Sequence, residues 1–317
     1  WVEEFNVDGF RFDLMGIHDV ETMNAIRQAM DKVDPRILLY GEGWDMGMGL
    51  MPEDKAKKDN AYQLPRIGFF NDTERDAVKG AEVYGGIKAG FVSGQATEDI
   101  VAKSILGSSE LGSYRSPDQV LNYVEAHDNF NLHDLLAELH PDDDVLTRTK
   151  RIELATAMNL LMQGMAFMEV GQEFSRTKLI ATGEGGQVLH SDRERAMNSY
   201  NAPDAVNQVN WDILQDHQES IDFIKDIIRL KTSCKAFSYQ TYEDIYKHVF
   251  VQSAEQGSGL IIFEIKDDKH YQVIFNASGL PYYLPNADKL RLIVGNSRHK
   301  KPFYVENLTV SVFEVIQ

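Results

Sequence analysis

Three acidic residues stand at or just past the ends of short apolar runs: Asp13 after Val7–Phe12, Glu42 after Ile37–Tyr40, and Asp128 beyond Val120–Val124. In a parallel α/β protein the carboxyl ends of the strands bring side chains to one rim, and chemistry gathers there. One acid at such a place reads as a helix cap or a solvated loop residue. Three from separate strands read as a site.

Arg11 and Asp13 are two apart on a strand and project to the same side. Arg11 then either holds Asp13 ionised, as a nucleophile must be, or forms a plain buried ion pair with it. Glu42 lies in Tyr40-Gly41-Glu42-Gly43-Trp44. A carboxyl packed on aromatic surface is pushed toward a higher pKa, which suits a proton donor near neutrality. The bland alternative is a glycine-rich turn with an incidental acid. Two carboxyls whose pKa values are driven apart are what glycoside cleavage requires.

His127-Asp128 and His133-Asp134 can also be read as a metal cluster, since both residue types ligate metals. A metal-dependent hydrolase barrel also needs a His-x-His pair on a strand, which this chain lacks. His133 and Asp134 are therefore expected in a loop or at a helix start. Aromatic residues recur at strand ends and in loops: Trp44, Tyr62, Phe69, Phe70, Tyr84, Tyr114, Tyr123, Phe130 and Tyr200. Sugar rings stack on such faces, although core packing explains many of them.

The elements that must carry these residues follow from the pattern. Asp19 is an N-cap candidate for a helix in which Val20, Met23, Ala25, Ile26, Met30 and Val33 fall roughly at helical spacing, and Asp34-Pro35 stops it. Strand-helix units repeat through runs at Val7–Phe12, Ile37–Tyr40, Ile67–Phe70, Val120–Val124 and Ala166–Val170. Between them lies a Gly- and Ser-rich stretch from Gly80 to Ser116, with one helix near Thr97–Leu106. Residues 177–209 read as irregular, and Ile221–Leu230 as the last amphipathic helix. From about Lys235, short β-runs separated by turn residues predict an antiparallel sandwich.

The chain has 317 residues, a net charge of −17, 43% hydrophobic and 10% aromatic residues. That composition excludes disorder, and its acidity argues against holding nucleic acid or an anionic membrane by a positive field. Cys234 is the single cysteine, so neither an intrachain disulfide nor a cysteine zinc site can form. The longest uncharged stretch, Leu154–Met168, is shorter than the ~18 apolar residues of a membrane span. Two regions are expected: residues 1–234, with five strand-helix units, and a β domain over 235–317. Five units do not close an eight-stranded barrel, so the sheet is either open or missing three units upstream of Trp1; the second is expected.

Val7-Asp8-Gly9-Phe10-Arg11-Phe12-Asp13-Leu14-Met15-Gly16 resembles the fourth-strand motif of the α-amylase superfamily in its type I pullulanase form. Tyr40-Gly41-Glu42-Gly43-Trp44 is similar to the fifth-strand motif, and Tyr123-Val124-Glu125-Ala126-His127-Asp128-Asn129 to the seventh. Gly171–Lys178 and Asn198-Ser199-Tyr200 through Asp204 to Trp211 resemble segments that follow the eighth strand. The resemblance implies a partial (β/α)8 barrel, from about the fourth strand onward, followed by a β-sandwich.

It also implies a retaining glycoside hydrolase acting on α-1,6 branch links of pullulan and branched α-glucans. In that family Asp13 corresponds to the nucleophile, Glu42 to the acid/base and Asp128 to the transition-state stabiliser. Arg11 and His127 correspond to residues that orient the nucleophile and bind the cleaved sugar; Trp44, Asn198, Tyr200 and Asp204 are expected to bind substrate. No redox cofactor is implied, and calcium, bound by some relatives, is not specified by any loop here. Alternatives are an α-1,4-acting relative, or a silent glucan-binding fragment or half-enzyme that needs a partner chain. The tail carries no sorting signal, from which a cytoplasmic location is expected.

Overall fold

The computed structural model describes residues 1–47, 49–82, 86–298 and 303–316; Tyr84 lies outside them. Five short strands form one parallel sheet in sequential order: β1 (Gly9–Phe12), β2 (Leu38–Gly41), β3 (Gly68–Phe70), β4 (Val120–Asn122) and β5 (Met165–Ala166). Register pairs Arg11 with Tyr40, Tyr40 with Gly68, Phe69 with Val120, and Leu121 with Met165. Parallel neighbours need crossovers; α-helices supply three of the four, and a 3-10 segment at Lys58–Gln63 lies in the one between β2 and β3.

After α1 (Val2–Phe5), α2 (Val20–Val33) runs between β1 and β2. The Asp19 carboxylate caps it by accepting from Thr22 N at 2.6 Å, and Asp34 ends it. Next come α3 (Asp72–Val78) and α4 (Glu98–Ile105) after β3, then α5 (Leu132–Leu139) and α6 (Val145–Leu161) after β4. His133 and Asp134 fall in the first turn of α5. Beyond β5, the stretch expected to be irregular contains α7 (His190–Met197) and α8 (Asp204–Asn207). Their sequence is polar, so no apolar stripe advertises them. The last long helix is α9 (Gln218–Ser233).

The fifth strand is shorter than its apolar run, because β5 has a ladder partner on one side only and pairing stops after Ala166. Among the described residues the sheet is open, with β1 and β5 at its edges.

Residues 235–317 begin with a helix that the β-run reading missed, α10 (Tyr242–His248). There follow β6 (Val249–Ser253), β7 (Leu260–Lys266), β8 (His270–Asn276), β9 (Tyr282–Tyr283), β10 (Leu290–Gly295), β11 (Tyr304–Val305) and β12 (Thr309–Val315). Five of these strands form an antiparallel sheet in the order β10-β12-β8-β7-β6, and β9 pairs with β11 as a separate ribbon. Side chains alternate as strand geometry demands. Ile261, Phe263, Val273, Phe275, Val310 and Val312 face α6 and α9, whereas Ile262, Ile274 and Phe313 pack with Leu284 and Val305 beside the ribbon. The first of these cores continues through Phe237, Ile224, Met158 and Leu161, so buried apolar contact runs across the 234/235 boundary.

Candidate active site

A cleft of about 990 Å³ opens at the carboxyl ends of the parallel strands. Each strand contributes a wall or floor residue: Arg11 in β1, Tyr40 in β2 and Phe70 in β3, then Tyr123 just after β4 and Phe167 just after β5. The aromatic floor is built edge to face. Phe70 meets Tyr40, Tyr123 and Phe167 with centroids 5.8, 5.0 and 5.4 Å apart. The Tyr123 hydroxyl accepts from Arg75 Nη1 at 2.7 Å, which locks the ring from the α3 side.

Arg11 joins the first two acids. Its Nη1 donates to Asp13 Oδ1 and its Nη2 to Glu42 Oε1, both at 2.7 Å. The second Glu42 oxygen accepts from Leu14 N at 2.8 Å. Leu14 reaches it by adopting a left-handed conformation with φ of 43°, an uncommon state for a non-glycine residue. The turns after β1 and β2 interlock further: Gly16 N donates to Glu42 O at 3.0 Å, and a Cβ on Gly16 would collide with the Trp44 carbonyl. Glycine is required there by close approach rather than by turn type.

Glu42 therefore differs from its expected setting. Its carboxylate is buried and is bound by a guanidinium and a backbone N–H, partners that the aromatic setting did not call for. Trp44 packs with the aromatic floor. The loop after it is pinned by Asp45, which accepts from Lys55 and Lys57 at 2.8 Å each. Those bonds hold the Asp45 carboxyl down at about 2.

His127 and Asp128 line the cleft with Asn198. The side chains of His127 and Asp128 are 60% and 63% exposed and lie 3.7 Å apart. Asp13 is 74% exposed and is tied to the cleft through Arg11. Of the residues singled out from sequence, Arg11, Glu42, Trp44, His127, Asp128 and Asn198 thus meet in one cleft. Tyr200 and Asp204 are not among its lining residues, and Tyr200 is 82% exposed. Among the described residues no group of three or more His, Cys, Asp or Glu side chains is placed to hold a metal ion. His133 Nδ1 contacts Asp134 Oδ1 at 3.3 Å, while Asp134 also receives Lys178 N at 2.8 Å, so this pair fastens α5 to the segment after β5.

Sequence reasoning missed a layer of buried ionisable groups beneath the cleft. Glu74 accepts from Tyr123 N at 3.2 Å and Glu125 from Leu132 N at 2.6 Å. Full burial pushes each carboxyl up to about 8. Lys79 pairs with Glu82, whose other oxygen accepts from Phe130 N at 3.3 Å. Lys178 is buried as well, and desolvation lowers its ammonium below the usual lysine range. Charged types inside a motif were the only visible signal, and Glu125 and Lys178 both lie within segments carrying the family resemblance.

No protein-family model matches the chain. The pullulanase of Bacillus subtilis strain 168 is 36% identical over 307 residues, which cover 92% of this chain and 40% of that protein. The crystal structure of pullulanase complexed with maltotetraose from Anoxybacillus sp. LM18-11 superposes with a TM-score of 0.86 at 35% identity, covering 99% of this chain and 45% of that one. Type I pullulanase from B. subtilis, complexed with maltose, gives a TM-score of 0.84 at 34% identity over 100% of this chain and 45% of its own. The chain spans less than half the length of these relatives. Matched in sequence and fold along nearly all of its own length, it belongs to the pullulanase family.

Proposed function

We propose that this chain supplies the reacting side chains of a retaining glycoside hydrolase that cleaves α-1,6 links in pullulan and branched α-glucans. The observation that carries the reading is the single guanidinium of Arg11, bound at once to Asp13 and Glu42 at the rim of an aromatic-floored cleft. Two carboxyls of different exposure sharing one cation fit the pair that double displacement needs. Glu42 protonates the bridging oxygen while Asp13 attacks the anomeric carbon and forms a glycosyl-enzyme. Glu42, now ionised, takes a proton from water, and the resulting attack releases the sugar.

Asp128 and His127 face the same cleft, where a carboxylate stabilises the positive charge that develops on the sugar ring. Trp44 offers a stacking surface, and Asn198 can take hydroxyls from the opposite wall. Tyr200 and Asp204 act, on this reading, farther along a bound glucan. The acid, base and nucleophile are all side chains, so the reaction needs no redox cofactor. Maltotetraose and maltose in the relatives' structures support an α-glucan as the ligand.

The open edges at β1 and β5 favour a further point: the chain works as part of a larger fold whose remaining strands cover them. Product analysis on pullulan tests the reading in the full natural chain carrying this sequence. Maltotriose is the expected product; panose or isopanose would move the specificity to α-1,4 links.

A further inference from the structure

Asp128 makes no side-chain hydrogen bond among the described residues, and its one ion-pair contact there is with the imidazole of His127, 3.7 Å away. Its position is therefore set by its backbone, and that backbone is held from beneath. Lys178 Nζ donates to His127 O at 2.9 Å and to Asn129 O, the carbonyls of the two residues that flank Asp128. Asn129 turns into the left-handed region, φ 62°, in the loop that brings both carbonyls to one cation. A third contact, to Ser199 Oγ at 3.4 Å, ties in the segment whose Asn198 forms the other wall of the cleft.

The N–H groups of Phe130 in the same loop and of Leu132 at the start of α5 are held by buried carboxyl groups, those of Glu82 and Glu125. Lys178 itself is 2% exposed, and among the described residues no carboxylate lies within ion-pairing distance of its ammonium. A buried cation spent on neutral oxygens is costly unless every donor is used. Here its acceptors bracket one acid of the cleft.

We propose that Lys178 is a positioning residue for the reaction: by gripping the carbonyls of His127 and Asn129 it fixes where the Asp128 carboxylate stands against the sugar. The inference rests on the functional reading above, in which Asp128 acts on the developing charge. Charge-assisted bonds to backbone carbonyls are strong enough to hold such a loop, and a displacement of about 1 Å at a reacting group costs on the order of 100-fold in rate.

The test compares wild type, Lys178→Met, Asp128→Asn and the double variant in the full natural chain, with pullulan as substrate. Lys178→Met is expected to lower kcat roughly 100-fold while KM changes less than about 3-fold. In the Asp128→Asn background the same change should cost less than about 3-fold more, because the group it positions is already gone. Amide exchange should rise at Phe130 and Leu132 and stay unchanged elsewhere. A kcat near wild type in a folded Lys178→Met protein, or full additivity with Asp128→Asn, overturns the proposal.

Lys178→Gln, which keeps a neutral donor, replaces Lys178→Met if the latter does not fold. Failure of both to fold also overturns it, by making Lys178 a core residue. A wild-type protein inactive on pullulan, amylopectin and glycogen sinks the functional reading alone; the exchange measurement then still decides whether Lys178 holds the loop.

Discussion

Arg11 Nη2 meets Glu42 Oε1 at 2.7 Å, from the strand next to the one that Glu42 follows. The contact exists because β1 and β2 are parallel and in register, Arg11 opposite Tyr40, so that Glu42 stands two residues beyond Arg11's partner and one beyond the end of the ladder. Gly41 permits the approach: a Cβ there would lie 2.6 Å from Phe12 O. Strand pairing thus brings Arg11 to Glu42, and the interlocked turns beyond both strands complete the arrangement.

Loss of either acid should be severe and should leave the fold alone. Asp13 is mostly exposed, so Asp13→Asn removes a charge without disturbing packing. Glu42→Gln keeps an oxygen for Leu14 N or Arg11. In the full natural chain each is expected to lower turnover of pullulan by roughly 10³-fold or more at unchanged melting temperature. Steady-state rates within 10-fold of wild type would remove that residue from the chemistry.

The sheet's edges carry a second expectation. β1 and β5 each have one ladder partner among the described residues, which leaves a row of backbone donors and acceptors at either side. Residues 1–317 expressed alone should therefore show no pullulan hydrolysis in a reducing-sugar assay and should associate with rising concentration. Hydrolysis by this chain alone, at more than about 1% of the full-chain rate, would show that the open sheet suffices.

Much of this architecture was legible because it is local. Asp19 as cap, the α2 stripe, the Asp34-Pro35 stop and the strand-end acids all follow from neighbours within a few residues. What escaped were relationships across long separations. Glu74 finds Tyr123 N 49 residues away, and Lys178 finds His127 O 51 residues away. No periodicity marks a charged residue that the fold will bury. The helices α7 and α10 escaped for a different reason: each is a single short stretch of mixed polarity, and tertiary packing of Ala196 and Ile245 decides it.

Buried carboxyls beneath the cleft should make stability fall as pH rises. Desolvation raises Glu74 and Glu125 to about 8, above their unfolded values, so the folded state holds protons that the unfolded state releases. Their contribution is complete below about pH 4.5 and is lost as pH climbs through 8, with a slope of up to about 1.4 kcal/mol per pH unit per group. Denaturant melts from pH 5 to 9 should show the decline. Glu74→Gln, whose amide oxygen can still accept from Tyr123 N, should flatten it. A slope unchanged in both Glu74→Gln and Glu125→Gln would mean that neither carboxyl titrates there.

Buried acids help join the C-terminal sheet to the helices that pack on it. Glu153 on α6 is 1% exposed, yet its Oε1 accepts from Ser220 at 2.7 Å and from Arg298 Nη2 at 2.9 Å, and its Oε2 from Asn296 at 2.9 Å. Asn296 and Arg298 follow β10, and Ser220 lies in α9, so one carboxylate gathers both long helices and the C-terminal sheet. A second fastening lies at the β6–β7 turn, where Glu98 of α4 accepts from Gly257 N at 3.1 Å and Gly259 N at 2.7 Å. Removing Glu153 leaves Asn296 and Ser220 without their acceptor in a buried interface and Arg298 without its buried partner. Glu153→Ala should then cost about 2–4 kcal/mol, whereas Glu153→Gln, which keeps one acceptor, should cost less. Since one apolar core spans both regions, the loss should appear as a lower midpoint of a single cooperative transition. Two separate transitions in the wild-type protein would show instead that the sheets unfold as independent units, with Glu153 only bridging them.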